Sequence, residues 1–199
     1  QQSNAFSDTT LFSIGVEGLP GKRQSMAIFN MAWHTNEFFW DGRAHLLRDQ
    51  SLTPIEDALE LNETLENVIN KLKADNSYEE MFTKAFGSED INSLKISLAL
   101  EQFMLTIISN QSKYDKYLAG SASLSQNELN GMELFFAEYN PFFPSESGAD
   151  CAHCHSSFNF ENDLYMNNGL DTDVNITDLG IYEATLDIND KGKFKVPSL

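Results

Sequence analysis

The sequence feature that most limits how this chain can fold is Cys151-Ala-His-Cys154-His155. Its two cysteines stand one helical turn apart, a histidine follows directly, and no other cysteine occurs in the chain of 199 residues. This is the attachment pattern for c-type haem, in which two thiols add to the vinyl groups of one porphyrin edge and the adjoining imidazole becomes the proximal iron ligand. The sequence therefore predicts one covalently attached haem c, held by Cys151, Cys154 and His155.

Two other uses of a cysteine pair fit the residues less well. A structural zinc site needs four ligands, usually with a second pair at short spacing, and His34 and His45 lie far upstream. Both of these histidines are more often structural or surface residues than iron ligands. A thioredoxin-like redox pair would follow a strand at a helix start, which residues 140–150 do not suggest. His153, between the two cysteines, is expected to face solvent.

The charge of the chain excludes two classes of partner. Thirteen Lys and Arg residues against thirty Asp and Glu residues give a formal net charge of -17. Such a field repels phosphate backbones and anionic lipid headgroups, so we expect neither nucleic acid nor a membrane surface as a partner. No apolar run approaches the roughly 20 residues of a membrane span. The chain begins Gln1-Gln2, and any signal peptide is expected to lie outside it.

Apolar periodicity predicts a mostly α-helical fold. The first forty residues are irregular, whereas Ser-x-x-Glu patterns at Ser77 and Ser125 predict helix starts near residues 78 and 126. The longest helix and the centre of the core are predicted between Asp90 and Ser109, where apolar residues recur at Ile91, Leu94, Leu98, Phe103, Met104, Leu105 and Ile108. Shorter helices are predicted at 43–50, 63–74, 78–86, 113–118 and 128–139. Prolines and a glycine in 140–148 interrupt this pattern, and residues 163–199 are predicted to be dominated by loops.

Several other segments resemble the bacterial dihaem cytochrome c peroxidase family, which includes the related tryptophylquinone-maturation enzymes. Their order and spacing agree over nearly the whole chain, and Trp-Asp-Gly-Arg upstream of a single Cys-x-x-Cys-His is far more specific than either motif alone. The segments are Ser13-Ile-Gly15, Phe39-Trp-Asp-Gly-Arg43, Gln50 with Pro54 and Glu60, Phe86, Tyr114-Asp-Lys-Tyr-Leu-Ala-Gly120, Gly131 through Phe135, the haem motif, and Phe194-Lys-Val-Pro-Ser-Leu199.

The resemblance implies two cytochrome-c-like haem domains with long irregular loops. Residues 1–120 would be the remainder of an N-terminal, peroxidatic haem domain with connecting helices, and residues 121–199 most of a C-terminal, electron-transfer domain. A second haem would be attached just upstream of Phe6 in the full-length protein. We therefore expect a chain truncated at both ends.

The resemblance also implies roles for two polar residues. Glu60 resembles the acidic residue on the distal side of the peroxidatic haem, and Gln50 its polar neighbour. Peroxide cleavage needs a base that takes a proton from hydrogen peroxide and returns it to the leaving oxygen. Without the resemblance, Glu60 would be interpreted as a solvated residue of the acidic stretch 56–60.

Trp40 resembles the tryptophan that stands between the two haems as an electron relay, an interpretation compatible with plain core packing. Arg43 is predicted to pair with a haem propionate or with Asp41, or to belong to a structural turn. Met166 is a candidate sixth ligand of the haem at His155, with an ordinary apolar anchor as the alternative.

One position departs from the family pattern. Many members have a histidine after Ser-Ile-Gly that serves as a removable distal ligand of the active haem, and this chain has Val16. A valine cannot ligate iron. We therefore expect that peroxide turnover does not require prior reduction of the second haem.

The implied activity is the reduction of hydrogen peroxide to water with electrons from a small cytochrome c or a cupredoxin, in the bacterial periplasm. Two alternatives stay open: a mono-haem electron carrier, and a dihaem oxidase of a protein or organic substrate. The family often binds one calcium ion between its domains, and a homodimer is among the partners considered. Asp171-x-Asp173-x-Asn175 begins like a calcium loop, but Ile176 and Tyr182 replace the required glycine and glutamate, which excludes an EF-hand.

Overall fold

A computed structural model describes residues 4, 6–156, 158–171 and 174–199. The chain divides into two compact units, Gln1–Ile107 and Ile108–Leu199. Helices predominate over strands in the described residues, which confirms the mostly α prediction. The haem-domain boundary predicted between residues 120 and 121 stays a prediction, and Asp173 of the calcium-loop comparison lies outside the described residues.

Within the described residues of the first unit, four helices follow a long irregular segment. A short 3-10 turn, Met31–Trp33, lies in this segment, which agrees with the predicted irregular start. Helix α4 packs against α1, and α2 packs against α3. The helices are α1 Leu47–Glu56, α2 Leu65–Lys73, α3 Asn76–Phe86 and α4 Ser93–Leu105.

The hydrophobic core of the first unit is built around Ile91, Ile96 and Phe82, with Leu52 and Leu72 packed against it. Helix α4 is the longest described helix, as predicted, and Ile91 is only 1% exposed.

The predicted apolar stripe of α4 was wrong in part. Leu94, Phe103 and Ile108 are exposed. The seven apolar positions spread over more than one helix face, and only the face that carries Ile96 and Met104 is buried. The buried face of α4 is set by its packing against α1. Apolar periodicity within α4 alone does not predict that contact.

The predicted cap of α3 and the predicted start of α1 were also wrong. Helix α3 begins at Asn76 because the side chain of Asp75 accepts the amide of Ser77, so Asp75 is the N-cap and the predicted capping box at Ser77 does not form. Helix α1 begins at Leu47 instead of residue 43 and continues to Glu56, with Pro54 in its last turn. Residues 43–46 precede it, and the amide of Phe38 bonds the carbonyl of Ala44 at 2.7 Å.

The described part of the second unit has three helices and a pair of short strands. Strands β1 Tyr165–Met166 and β2 Phe194–Lys195 are antiparallel, with Tyr165 opposite Lys195. Further 3-10 turns lie at Pro144–Glu146, Cys151–His153 and Ile188–Asp190. The helices are α5 Lys113–Leu118, α6 Gln126–Phe136 and α7 Tyr182–Thr185. The predicted loop-dominated tail is confirmed.

The predicted start of α6 is confirmed by a complete capping box. The side chain of Ser125 accepts the amide of Glu128, and the carboxylate of Glu128 accepts the amide of Ser125 at 2.7 Å. The helix ends at Phe136, not at Tyr139, because Ala137 is already extended. Among the described residues, none of the helices combines the length and apolar character needed to cross a bilayer.

Candidate functional site

In the first unit, the Trp-Asp-Gly-Arg segment forms a tight loop around a buried carboxylate. Asp41 is 3% exposed, and its oxygens lie 2.9 and 3.0 Å from Nη1 of Arg43 and 2.5 Å from Nη1 of Arg23. The guanidinium of Arg43 also lies 3.6 Å from the ring centroid of Phe39. Of the partners considered for Arg43, the structure places Asp41 beside it. Its contact with a propionate stays a prediction.

Trp40 stands in the same loop and is half-buried. Its indole Nε1 donates a hydrogen bond of 2.8 Å to the carbonyl of Gln24. This bond holds the ring against the preceding segment. The fixed ring is compatible with core packing and with the predicted electron relay alike.

Glu60 is held in a turn built on Asp57, at the end of α1. The carbonyl of Asp57 accepts the amides of Glu60 and Asn62, both at 3.0 Å. The side chain of Asp57 accepts the amide of Leu59 at 2.8 Å. The turn is therefore closed by its own backbone and needs no regular element after α1.

The segment Gly15-Val16 lies directly on this turn. The amide of Val16 donates to the carbonyl of Glu60 at 2.7 Å. A Cβ added to Gly15 would lie 2.1 Å from the carbonyl oxygen of Leu59, a distance that no side chain tolerates. Glycine at position 15 is thus required for the close approach, which brings the position of the family's removable ligand next to the predicted acid.

The carboxyl group of Glu60 is half-buried, and burial raises its pKa above the ordinary glutamate value. The negative charge of Asp57 raises the pKa further, whereas the positive charge of Arg43 lowers it. A raised pKa makes the group a better proton acceptor and donor near neutral pH. Gln50 is also half-buried and lies on α1.

In the second unit, the residues just before the Cys-x-x-Cys-His motif are hydrogen-bonded to the end of α6. The amides of Gly148, Ala149 and Asp150 donate to carbonyls in or just after α6, at 2.8, 2.8 and 3.1 Å. A Cβ on Gly148 would lie 1.9 Å from the carbonyl oxygen of Ala137. This close approach requires glycine, and the 3-10 turn Cys151–His153 follows it in the chain.

His155 is oriented by its own neighbourhood. Its amide donates to the carbonyl of Cys151 at 2.9 Å, and its ring Nδ1 lies 2.9 Å from the carbonyl oxygen of Phe160. A carbonyl can only accept, so Nδ1 carries the proton and Nε2 keeps its lone pair. That is the arrangement of a metal-ligating histidine, whose second nitrogen donates to a fixed acceptor.

Both cysteines are half-buried free thiols, so they fit covalent attachment of a porphyrin. Phe160 packs against Tyr114 at 5.7 Å and edge-on against Phe135 at 5.6 Å. Phe158 is 66% exposed, although it lies three positions after His155. The two thiols and the oriented imidazole form a donor set that fits haem c.

Met166 lies in β1, and its sulfur accepts from Nδ2 of Asn162 at 3.5 Å. The same amide group donates to the carbonyl of His153 at 3.5 Å. Asn162 therefore links Met166 to the haem motif. Iron ligation by Met166 stays a prediction.

The remaining histidines differ in exposure. The side chain of His153 is 73% exposed, with Nδ1 3.5 Å from Asp150, which confirms the solvent-facing prediction. His45 is also largely exposed. His34 lies against the ring of Phe38 at 5.0 Å, and its Nε2 is 3.0 Å from the carbonyl oxygen of Glu37.

Sequence reasoning missed the Phe160 carbonyl and a buried ion pair between Glu161 and Lys195, whose side chains are both 5% exposed. Neither the carbonyl nor the ion pair produces a recognisable pattern in the neighbouring sequence. A backbone acceptor has no residue type, and the two charged residues are far apart in the chain.

Comparisons with known proteins give the family. The family model described as di-haem cytochrome c peroxidase matches residues 1–123. The methylamine utilization protein MauG of Methylophilus methylotrophus is 32% identical over 166 residues, which cover 83% of this chain and 47% of that protein. The cytochrome c551 peroxidase of Nitrosomonas europaea is 30% identical over 195 residues, which cover 96% of this chain and 55% of that protein.

A solved structure agrees. The crystal structure of a MauG-like protein associated with microbial copper homeostasis superposes with a TM-score of 0.85 at 29% identity, covering 99% of this chain and 60% of that chain. The chain spans about half the length of the curated relatives it matches. The predicted fold class and haem c cofactor are confirmed, whereas calcium stays a prediction. Family match and fold agree: the chain belongs to the di-haem cytochrome c peroxidase family.

Proposed function

We propose that the complete enzyme reduces hydrogen peroxide to water, with two electrons and two protons consumed for each two water molecules formed. Relatives named cytochrome c peroxidase match 94–96% of the chain. The observation that carries the proposal is Glu60, a half-buried carboxyl with a raised pKa on a turn locked against Val16.

Cys151 and Cys154 would hold one haem c in this chain through thioether bonds, and Nε2 of His155 would bind its iron. When bound, it supplies an iron centre that accepts electrons one at a time from the donor. The hydrogen bond from Nδ1 of His155 to Phe160 keeps the imidazole in the ligating tautomer. Met166 is proposed as the sixth ligand.

Glu60 moves the proton. Its carboxylate takes a proton from hydrogen peroxide and returns it to the leaving oxygen, so that the O–O bond breaks to give water and not hydroxyl radical. Gln50, on the half-buried side of α1, orients the peroxide by hydrogen bonding. Arg43, whose charge opposes the rise in the pKa of Glu60, keeps that carboxyl ionisable.

Trp40 is proposed as the electron relay between the haem on His155 and the peroxidatic haem. The hydrogen bond from its indole to Gln24 supports this role. A ring that is held in place has a small reorganisation energy for electron transfer. The domain boundary between residues 120 and 121 belongs to the same proposal.

A small cytochrome c or a cupredoxin is the proposed donor, in the bacterial periplasm where c-type haem is attached. The net charge of -17 favours a donor with a basic face. A calcium ion and a homodimer remain part of the proposal from the family resemblance.

A second candidate is a dihaem oxidase of a protein or organic substrate. Val16, in the position of a removable ligand, and the 32% identity to the methylamine utilization protein MauG favour it. The third candidate, a mono-haem carrier, uses the same haem motif without Glu60.

One experiment on natively matured full-length protein separates the three. Haem is counted per chain from the alkaline pyridine spectrum, and peroxide turnover is measured with a reduced cytochrome donor. Two haems with robust turnover are expected. One haem without turnover favours the carrier, and two haems with faster turnover of a protein or organic substrate favour the oxidase. A colourless protein, or one with metal bound tetrahedrally at the two cysteines, overturns the proposal.

A further inference from the structure

A buried ion pair lies in the second unit that the proposed function does not use. Nζ of Lys195, in β2, is 3.5 Å from Oε2 of Glu161, and both side chains are 5% exposed. Burial lowers the pKa of Lys195, and the charges of Glu161 and Asp163 oppose that shift. The desolvation of two buried charges commonly offsets their attraction. A gain in folding stability is therefore a weak explanation for the presence of this buried ion pair.

The ion pair is part of a network that ties both neighbours of Phe160 to the end of the chain. Nδ2 of Asn159 donates to Oε1 of Glu161 at 2.7 Å, and both residues are buried. The hydroxyl of Ser198 donates to the carbonyl of Asn159 at 2.6 Å. Residue 159 is thus fixed by Ser198, and residue 161 is fixed by Lys195.

Phe160, between these anchors, has a strained backbone. Its φ is 52°, in the left-handed region that is unfavourable for a non-glycine residue. Such a conformation persists only where its surroundings hold it. The ring is held between Tyr114 and Phe135, which fixes the side chain and leaves the peptide group to be held by its neighbours.

The peptide group matters because its carbonyl oxygen accepts Nδ1–H of His155 at 2.9 Å. An acceptor on the second ring nitrogen orients a ligating imidazole and raises its basicity. A more basic imidazole donates more electron density to iron, which favours the ferric state. The position of this carbonyl therefore influences the reduction potential of any haem that His155 ligates.

We propose that Lys195 is a positioning residue for the proximal ligand: through its ion pair with Glu161 it holds the Phe160 carbonyl against Nδ1 of His155. The inference rests on the proposed function in one respect, that His155 ligates an attached haem. Lys195 touches neither haem nor peroxide in this role. It acts through Glu161 and the backbone of Phe160.

The test is Lys195→Met in the full-length holoprotein, with two readouts at His155. Solvent exchange of the Nδ1 proton, followed by NMR, is expected to become about tenfold faster, the factor for losing one hydrogen bond. The midpoint potential of this haem is expected to rise, because a less basic imidazole stabilises ferric iron less. Removal of a positive charge by itself would lower the potential, so the sign separates positioning from simple charge deletion.

Two further variants keep the test decisive. Lys193→Met removes the same side chain from an ion pair with Asp190 that is partly exposed, and it should leave the proton exchange unchanged and the potential no higher. The double variant Glu161→Gln/Lys195→Met leaves no unpaired buried charge, so it folds even where the single variant does not. It should show the same fast exchange and raised potential as Lys195→Met.

Folded variants with a lower melting temperature but with unchanged exchange and an unchanged or lowered potential would overturn the positioning role. Failure of the proposed function is a separate result, because it shows in the wild type as the absence of thioether-linked haem. That result would overturn both proposals before any variant is made.

Discussion

The backbone amide of Val16 donates a hydrogen bond of 2.7 Å to the backbone carbonyl of Glu60. This bond joins the position at which many family members have a removable histidine to the residue proposed to move the proton. The two positions are fixed relative to each other by backbone atoms, so a change of side chain at residue 16 leaves the geometry of the turn in place. Val16 itself is 66% exposed.

The first prediction concerns Val16. Full-length enzyme is expected to turn over peroxide as isolated, without prior reduction, because valine offers no ligand that must leave. Val16→His is expected to make turnover depend on prereduction and to give a low-spin ferric spectrum for the peroxidatic haem. Val16→Leu serves as the control and should behave like wild type. A bis-histidine spectrum in the wild type would contradict the prediction.

The second prediction concerns proton transfer by Glu60. Glu60→Gln is expected to lower kcat by roughly 10²–10⁴-fold, the usual range for loss of a general acid–base. Because burial raises the pKa of Glu60, the acid limb of the wild-type pH profile should lie above the ordinary glutamate pKa of 4.5. Glu56→Gln, at an exposed position of α1, should leave both the rate and the acid limb unchanged.

The same pKa shift has a consequence for stability. The folded chain binds the Glu60 proton more tightly than the unfolded chain does. The contribution of Glu60 to the free energy of unfolding therefore falls as pH rises from 4.5 through the raised pKa. Glu60→Gln should therefore be at least as stable as wild type at neutral pH. Denaturant unfolding of both proteins at several pH values checks this, and a neutral-pH loss in the variant would contradict it.

The third prediction compares two glycines. Gly15→Ala would place a Cβ 2.1 Å from the carbonyl oxygen of Leu59, so the Gly15-Val16 segment must move off the Glu60 turn. We expect a loss of at least about 2 kcal/mol in the free energy of unfolding, the scale of a core steric clash, and reduced turnover. Gly131→Ala, inside α6 with open space around its Cβ, should instead stabilise by about 0.5–1 kcal/mol. Equal effects at the two sites would refute the close-approach argument.

The fourth prediction concerns the helix that seats the haem motif. Ser125→Ala removes the N-cap of α6 and should cost about 1 kcal/mol of unfolding free energy. Hydrogen bonds from Lys113 and Ser125 lower the pKa of Glu128, the other half of the capping box, to about 2. The stabilisation that the Glu128 carboxylate gives the folded chain is therefore present above pH 4.5 and is lost as pH falls towards 2.

The difference between Ser125→Ala and wild type should shrink over that acid range, measured by denaturant unfolding. Ser123→Ala, an exposed serine in the preceding loop, is the matched control and should differ little from wild type at any pH. A constant difference across the range would show that Glu128 does not take part in the cap.

Local rules predicted the helices whose ends are marked by side chains close in sequence. The capping box at Ser125 sets the start of α6, and 113–118 was predicted with the same bounds that α5 has. The capping residue of α3 was missed because two side chains compete there, and Asp75 accepts the amide of Ser77. Local sequence contains both candidates but not the outcome of that competition.

The motif Cys151 to His155 by itself determined the class of cofactor, because thioether attachment depends only on the short spacing of two thiols and a histidine. Apolar periodicity and the family resemblance determined the mostly helical fold. Only the tertiary structure decided what orients that histidine and what surrounds Glu60. The Phe160 carbonyl, the Lys195 ion pair and the Val16 amide act through backbone atoms or residues distant in the chain. Such contacts are set by packing, which residue types and their spacing do not specify.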